Sequence, residues 1–259
     1  MKFCVLASGS KGNLTYIETN NTKILIDAGI SYQEAKRRAQ SKNIDFDEIQ
    51  AIFITHEHYD HVAYLPTFLK RTQATLYINK KSLIKMNGQI LEKLNGHKVR
   101  FLEADQSITI NDIEIIPLLL SHDSANCFGF HFVSPTHKLT YVVDTGFVPL
   151  KYFELLSKSD AFIIESNHDI EMLHESNRPI ELKRRILSSS GHMSNRICSQ
   201  IIKAVINSKN QYVVLAHLSE EVNTEEIALQ TLFSMVALPK NTKILVAKQY
   251  EPLDLIILE

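Results

Sequence analysis

The run Thr55-His56-Glu57-His58-Tyr59-Asp60-His61 follows directly on the apolar stretch Ala51-Ile52-Phe53-Ile54, and no other segment narrows the possible folds as sharply. The β-branched and aromatic stretch reads as a buried strand, and Leu65, Phe68 and Leu69 recur at helical spacing. The polar run therefore occupies a strand-to-helix turn. Pro66 falls in the first turns of that helix, where a missing N–H is tolerated. His56 and His58, two residues apart, can converge on one ion, whereas the adjacent Asp60 and His61 diverge and can serve a second. Imidazole nitrogens with a carboxylate oxygen suit zinc, manganese or another borderline metal. A solvent-exposed, histidine-rich turn is the plain alternative, but the H-x-H-x-D-H spacing makes two metals the natural reading.

With 259 residues the chain can bury a sizeable core, and residues 1–259 read as a single domain without linker or low-complexity tract. The net charge of -1, from 28 basic and 29 acidic residues, provides no global field for a polyanion, so any nucleic acid needs a local patch. Cys4, Cys127 and Cys198 lack the spacing of a cysteine metal site or disulfide framework and read as reduced thiols. The apolar stretch after Lys2 is too short for a secretory signal and no segment is long enough to span a membrane, so a cytoplasmic address is expected. Oligomeric state is left open.

Several further strand-like runs stop at residues able to bind metal or move protons. Lys23 to Ile26 ends at Asp27, Ile113 to Leu120 leads to His122, and Tyr141 to Val143 stops at Asp144. Ala161 to Ile164 leads to Glu165 and His168, and Tyr212 to Ala216 leads to His217. Strand ends are where open α/β architectures collect functional groups. Meander-like early strands, then strand–helix alternation, predict two packed sheets with helices outside. The segment Ser8 to Asn13 is no dinucleotide fingerprint; Gly9 and Gly12 mark a tight turn. Ser31 with Glu34, and Asn223 with Glu226, offer capping boxes.

A two-metal site can be assembled from these residues. His56, His58 and His122 would hold one ion, Asp60, His61 and His217 the other, and Asp144 would bridge both. Asp27 would sit behind the ligands and orient them. Taken singly, His122 and His217 also fit a structural histidine, and Asp144 a loop cap.

The ordered set His56-x-His58-x-Asp60-His61, His122, Asp144 and His217, with Asp27 upstream, resembles the metallo-β-lactamase superfamily across essentially the whole chain. The resemblance implies an α/β, four-layer αββα fold, with two mixed sheets face to face, helices outside and a binuclear site at one edge. Asp144 stands where the lactamases place a cysteine, which brings the chain closer to the hydrolases and nucleases. A narrower resemblance rests on Ala7 to Asn13, Thr55 to His61, Glu165 to Asp169, Gly191 to Asn195 and His217 to Asn223. These look like the bacterial YycJ/WalJ (VicX) branch, related to ribonuclease Z and the phosphodiesterase PhnP. Val222-Asn223 departs from that branch's paired asparagines. The branch implies 5′-to-3′ exonuclease action on double-stranded DNA and a role in repair.

His192 lies in Ser188 to Asn195, just before the helical pattern Ile197, Ile201, Ile202, Val205. Ser194 would cap that helix and Asn195 begin it, with backbone N–H groups and the positive dipole end facing a phosphate. His192 would hold the scissile phosphate or protonate the leaving oxygen. By similarity to ribonuclease Z, it follows the strand-end glutamate, here Glu165. His168 would bind substrate, orient a ligand or stabilise the loop; a purely local cap is the alternative for the His192 region. The runs Lys36-Arg37-Arg38 and Lys183-Arg184-Arg185 would contact phosphates or form solvated helix faces. The expected activity is thus a binuclear metal-dependent phosphodiesterase, with Asp60 and His192 as catalytic groups, two divalent ions (zinc or manganese) as cofactors and a metal-bridging hydroxide as nucleophile. DNA is the expected partner, gripped by its backbone. The alternatives are a ribonuclease, a small cyclic phosphodiesterase, a (thio)ester hydrolase, or a metal-stabilised regulatory protein.

Overall fold

Fourteen strands, built largely from the apolar runs above, are described in a computed structural model covering residues 1–46 and 48–259. In chain order the first six are β1 (Lys2–Ala7), β2 (Leu14–Glu18), β3 (Lys23–Ile26), β4 (Ala51–Phe53), β5 (Thr75–Ile78) and β6 (Val99–Phe101). Then follow β7 (Ile108–Ile110), β8 (Ile113–Leu120), β9 (Cys127–Val133), β10 (Lys138–Val142), β11 (Ala161–Glu165), β12 (Tyr212–Ala216), β13 (Lys243–Val246) and β14 (Ile256–Ile257). They form two seven-stranded sheets, β14-β1-β2-β3-β4-β5-β6 and β13-β12-β11-β10-β9-β8-β7. Both are mixed. The segment from β14 to β3 is antiparallel and that from β3 to β6 parallel. The second sheet repeats the pattern, antiparallel from β7 to β10 and parallel from β10 to β13.

The period-2 alternation of side chains sorts the core into layers. In β11, Ala161 and Ile163 enter the apolar layer between the sheets, while Phe162 and Ile164 face the helices outside. Phe53 of β4 points into the same inner layer and packs edge-on against Phe130 of β9, ring centroids 5.4 Å apart. Its neighbours Ile52 and Ile54 face outward, against Leu65, Phe68 and Leu69 of the helix Leu65–Thr72. Strands buried on both faces are expected where parallel strands are covered by crossover helices. Three apolar layers between two sheets and two helical shells make the αββα sandwich.

Strands β6, β7 and β14 were not signalled by the sequence pattern. They are two- or three-residue elements at or near the sheet margins, with Arg100, Phe101 and Ile257 exposed, so burial imposes little pattern on them. The cap expected at Asn223 is moved by one residue: Thr224 Oγ1 accepts from the Ile227 N–H, and Asn223 turns inward to bond Asn195. Phe233, in the apolar series Ile227, Leu229, Leu232, Phe233 and Val236 that the sequence places after this cap, is 57% exposed. Among the described residues no helix is long and apolar enough to cross a membrane.

Candidate metal centre

Six of the polar strand ends meet at one edge of the sandwich. In the first sheet Ile26 of β3 is in register with Phe53 of β4, so Asp27 and Thr55 emerge side by side. In the second, Val142, Ile164 and Leu215 are in register, and Asp144, Glu165 and His217 emerge together just beyond. Asp27, Asp144 and His217 each adopt a left-handed backbone conformation, with φ of 64°, 57° and 56°. That region is unfavourable for a residue with a Cβ, and such strain is characteristic of functional sites.

The motif between β4 and the short helix Tyr59–Val62 is clamped from below by Asp27, which is wholly buried. The Asp27 carboxylate accepts from the Thr55 N–H at 2.9 Å and from His61 Nδ1 at 2.7 Å. The Thr55 hydroxyl donates to Asp27 at 3.0 Å and lies 3.0 Å from His56 Nδ1, from which it can accept. With both Nδ1 atoms occupied as donors, His56 and His61 turn their Nε2 atoms outward, the atoms each would offer to a metal. Behind Asp60, Asn13 donates its backbone N–H to the Asp60 carbonyl and its side-chain amide to Oδ2, at 2.8 and 3.2 Å. A Cβ on Gly29 would fall 1.7 Å from the Asp60 carbonyl oxygen, so only glycine fits beneath that turn. Glu57 points away from the ligands and accepts from the Ala125 N–H, tying the motif to the β8–β9 connection.

On the opposing sheet His122 Nδ1 lies 3.2 Å from the Gly191 carbonyl, to which it donates, leaving Nε2 3.3 Å from His58 Nδ1. His217 Nδ1 lies 3.2 Å from Asp144 Oδ1, and the His217 backbone N–H is held by Ser8 Oγ. Candidate ligand atoms gather within 4.8 Å of one another in the groups His56/His58/His122 and Asp60/His61/His217. Asp144 joins His56 and His61 in one further group and Glu165, His192 and His217 in another, so it lies between the two sides.

These residues fit a divalent cation. His56 Nε2, His217 Nε2 and Asp144 Oδ2 are buried without a hydrogen-bond partner among the described residues. His61 Nε2 lies only 2.9 Å from Asp144 Oδ2, an arrangement that needs a proton or a metal between them. The electrostatics agree. Burial holds His56 well below the ordinary histidine range, so it is neutral, the form in which an imidazole can bind a metal. Burial also opposes charging of His61, but Asp27, Asp60 and Asp144 outweigh it and raise that group well above its usual value. His217 is lifted in the same way to about 10, chiefly by Asp144 against the effect of burial. Burial raises Asp60, yet His61 and the contact with His217 prevail and keep its carboxyl ionised. Burial raises Asp144 too, yet His217 and His61 hold it well below the usual carboxylate range, so both Asp60 and Asp144 are charged toward a point where positive charge is wanted.

His192 sits over this cluster, stacked on His217 with centroids 5.4 Å apart. Its Nδ1 is 2.6 Å from Glu165 Oε1, and Glu165 Oε2 accepts from the Thr145 N–H, so the glutamate fixes the ring's orientation. Burial alone would lower His192; Glu165 and Asp144 reverse that and raise it. Ser194 caps the helix Asn195–Val205 as expected, its Oγ accepting from Ile197 N–H. Asn195 is buried and bonded to Ser166 and Asn223, so it braces the loop from inside. His168 is 1% exposed with neither ring nitrogen partnered among the described residues, and burial lowers it to about 4. Arg38 is removed from the expected phosphate contacts: it is buried and donates to the Leu6 and Gln249 carbonyls. Arg185 stays near the site, its Nε bonded to Asp123 and its side chain lining a pocket with His192.

Sequence reasoning did not assign Asn13, Thr55 or Asn167 a place at the site. Thr55 and Asn13 support the motif, and Asn167 donates to the His217 carbonyl at 2.9 Å. Thr55 immediately precedes His56, and Asn13 ends the Ala7 to Asn13 segment that carries part of the family resemblance; neither has a metal-ligand signature of its own.

A beta-lactamase superfamily domain model matches residues 22–218. The chain is 34% identical over 228 residues to exodeoxyribonuclease YycJ of Bacillus anthracis, covering 88% of this chain and 86% of that protein. It is 32% identical over 237 residues to exodeoxyribonuclease WalJ of Streptococcus pneumoniae, covering 91% and 88%. Among solved structures, the metallo-beta-lactamase fold protein YhfI from Bacillus subtilis superposes with a TM-score of 0.72 at 15% identity, covering 97% of this chain and 98% of that one. A diphosphatase of the PhnP family gives 0.68 at 18% identity, covering 98% and 97%.

Proposed function

The chain belongs to the beta-lactamase superfamily and, within it, to the YycJ/WalJ family of metallo-hydrolase fold enzymes, and on that premise we propose that it is a binuclear DNA exonuclease, removing nucleotides from double-stranded DNA in the 5′-to-3′ direction. The observation that carries this reading is the pair of ligand groups sharing Asp144, with the Glu165–His192 pair directly beside them. His56, His58 and His122 would hold one ion and Asp60, His61 and His217 the other, Asp144 serving both. Two divalent ions would supply a water acidified toward neutral pH and charge neutralisation for the phosphoryl oxygens. The chain's own groups do the rest.

Asp60 stays ionised, with Asn13 fixing one of its oxygens. His192, its Nδ1 committed to Glu165, has Nε2 left to hold the scissile phosphate or to pass a proton to the leaving oxygen. Nucleic acid would be gripped by its backbone phosphates through local basic groups, since the net charge of -1 provides no global field for a polyanion. Histidine nitrogens favour zinc, while the carboxylates also accept manganese, and either metal suits the site. The setting is taken to be the cytoplasm, in keeping with three buried, free cysteines.

The test is a panel of end-labelled duplex and single-stranded DNA, RNA and small phosphodiesters, each with zinc, manganese or magnesium. Stepwise shortening of duplex DNA from the 5′ end is expected. Metal-loaded, folded protein that cleaves none of these phosphodiesters would overturn the reading, and cleavage confined to RNA or to small diesters would reassign the substrate.

A further inference from the structure

Beside the metal centre lies a second pocket, of about 160 Å³, that shares His192 and Asn167 with it. Arg178 and Arg185 contribute to its walls, with Ser10 and Ser219. This is small against the roughly 300–1,000 Å³ of sites that enclose a drug-sized molecule, so the pocket suits a single compact group. Each guanidinium is anchored through one edge. Arg178 Nε donates to Glu221 at 2.9 Å and Nη2 reaches Ser219 Oγ at 3.4 Å, while Arg185 Nε is bonded to Asp123 Oδ2. The remaining Nη donors, Nη1 of Arg178 and both of Arg185, have no protein partner among the described residues. Asp123, which also lines the pocket, is paired with Arg185 through Oδ2, and its Oδ1 lies 3.3 Å from His122 Nε2. Anchored forks with a free edge are how arginine recognises phosphate bidentately.

We infer that Arg178 and Arg185 form a phosphate subsite next to the metal centre that receives the terminal 5′-phosphate of the strand being degraded. The inference rests on the exonuclease reading above and adds what that reading lacks, a way of recognising an end. The pocket is bounded by the helix Ile180–Leu187, the Gly191–His192 segment and the loop carrying Ser219. It has room for a phosphate but little for a nucleotide continuing the chain beyond it. A strand seated there places its first internal phosphodiester toward His192. The Lys183-Arg184-Arg185 run thereby acquires a function through its last member alone.

Two duplexes identical except for a 5′-phosphate or 5′-hydroxyl on the degraded strand test this with the metal-loaded full chain. Hydrogen bonds to a charged group predict that the wild type prefers the phosphate by about 10- to 100-fold in kcat/KM, mostly through KM. Arg178→Met and Arg185→Met should each bring the ratio down toward one, and Lys203→Ala, at an exposed helix position outside the pocket lining, should leave it alone. Should a methionine variant fail to fold, Arg178→Lys and Arg185→Lys keep the charge while removing the fork, and the ratio should still fall. Fluorescence anisotropy of the same duplexes gives a readout independent of turnover, with the phosphorylated end binding more tightly. Cleavage and binding indifferent to the 5′ group overturn the subsite while leaving the exonuclease reading intact. If no nucleic acid is cleaved, that reading falls, and equal binding of both ends then overturns the subsite as well.

Discussion

The two sheets supply the metal centre in opposite ways. The first delivers four candidate ligands from one turn of six residues, held by a short-range scaffold of Asp27, Thr55 and Asn13. The second delivers His122, Asp144 and His217 from three separate strand ends, and His192 from a loop. The contrast teaches that one half is set by local chain geometry and the other by register and packing across the sandwich. Damage to the first half should remove ligands directly, whereas damage to the second should more often misplace them.

The largest effect is expected from Asp60→Asn. Turnover should be nearly abolished and bound metal, counted by inductively coupled plasma mass spectrometry, should fall toward one ion per chain. Normal turnover with two ions retained would remove Asp60 from the ligand set. His192→Ala belongs to the dispersed half and should lose about 10²- to 10⁴-fold in kcat while keeping its metals. Loss of both metals on that change would mean that His192 supports the centre itself. Asp27→Asn touches no metal directly but loosens both His56 and His61; metal affinity measured by competition with a chromogenic chelator should fall about 10- to 100-fold. An unchanged affinity would show that the local half does not depend on its scaffold.

The smallest expected effect concerns protons. In the metal-free protein, neighbouring carboxylates raise His61 well above its usual range and His217 to about 10, so both carry protons at neutral pH. Ligation requires neutral imidazole, so metal loading must expel those protons and apparent affinity must rise with pH through the neutral range. Calorimetric titration of metal in buffers of different ionisation enthalpy should report net proton release. A titration enthalpy independent of the buffer would contradict this assignment.

Much of the fold was legible because strands buried on both faces read as continuous apolar runs, and β1 through β5 and β8 through β13 all carry such runs. The margins β6, β7 and β14 were not, since solvent accepts almost any side chain there. Within the site, residue chemistry and strand-end position brought forward the groups now found clustered, but not the supports. Asn13 bonds Asp60 across 47 positions, and Asn167 bonds His217 across 50, distances over which sequence spacing carries no geometric information. Arg38 shows the converse error: a basic run read as one unit contains a buried arginine whose donors are spent on backbone carbonyls.

By itself the sequence determined the donor chemistry and the geometry of the six-residue turn, because neighbouring residues on one short segment have few ways to point. Only the tertiary structure decided that Asp144 lies between the two ligand groups, that Glu165 holds His192, and that Arg178 and Arg185 line one pocket. Those relations depend on the register of parallel strands and on how the loop at Gly191 and the helix before it settle on the sheet, and both are set by long-range burial and not by local spacing.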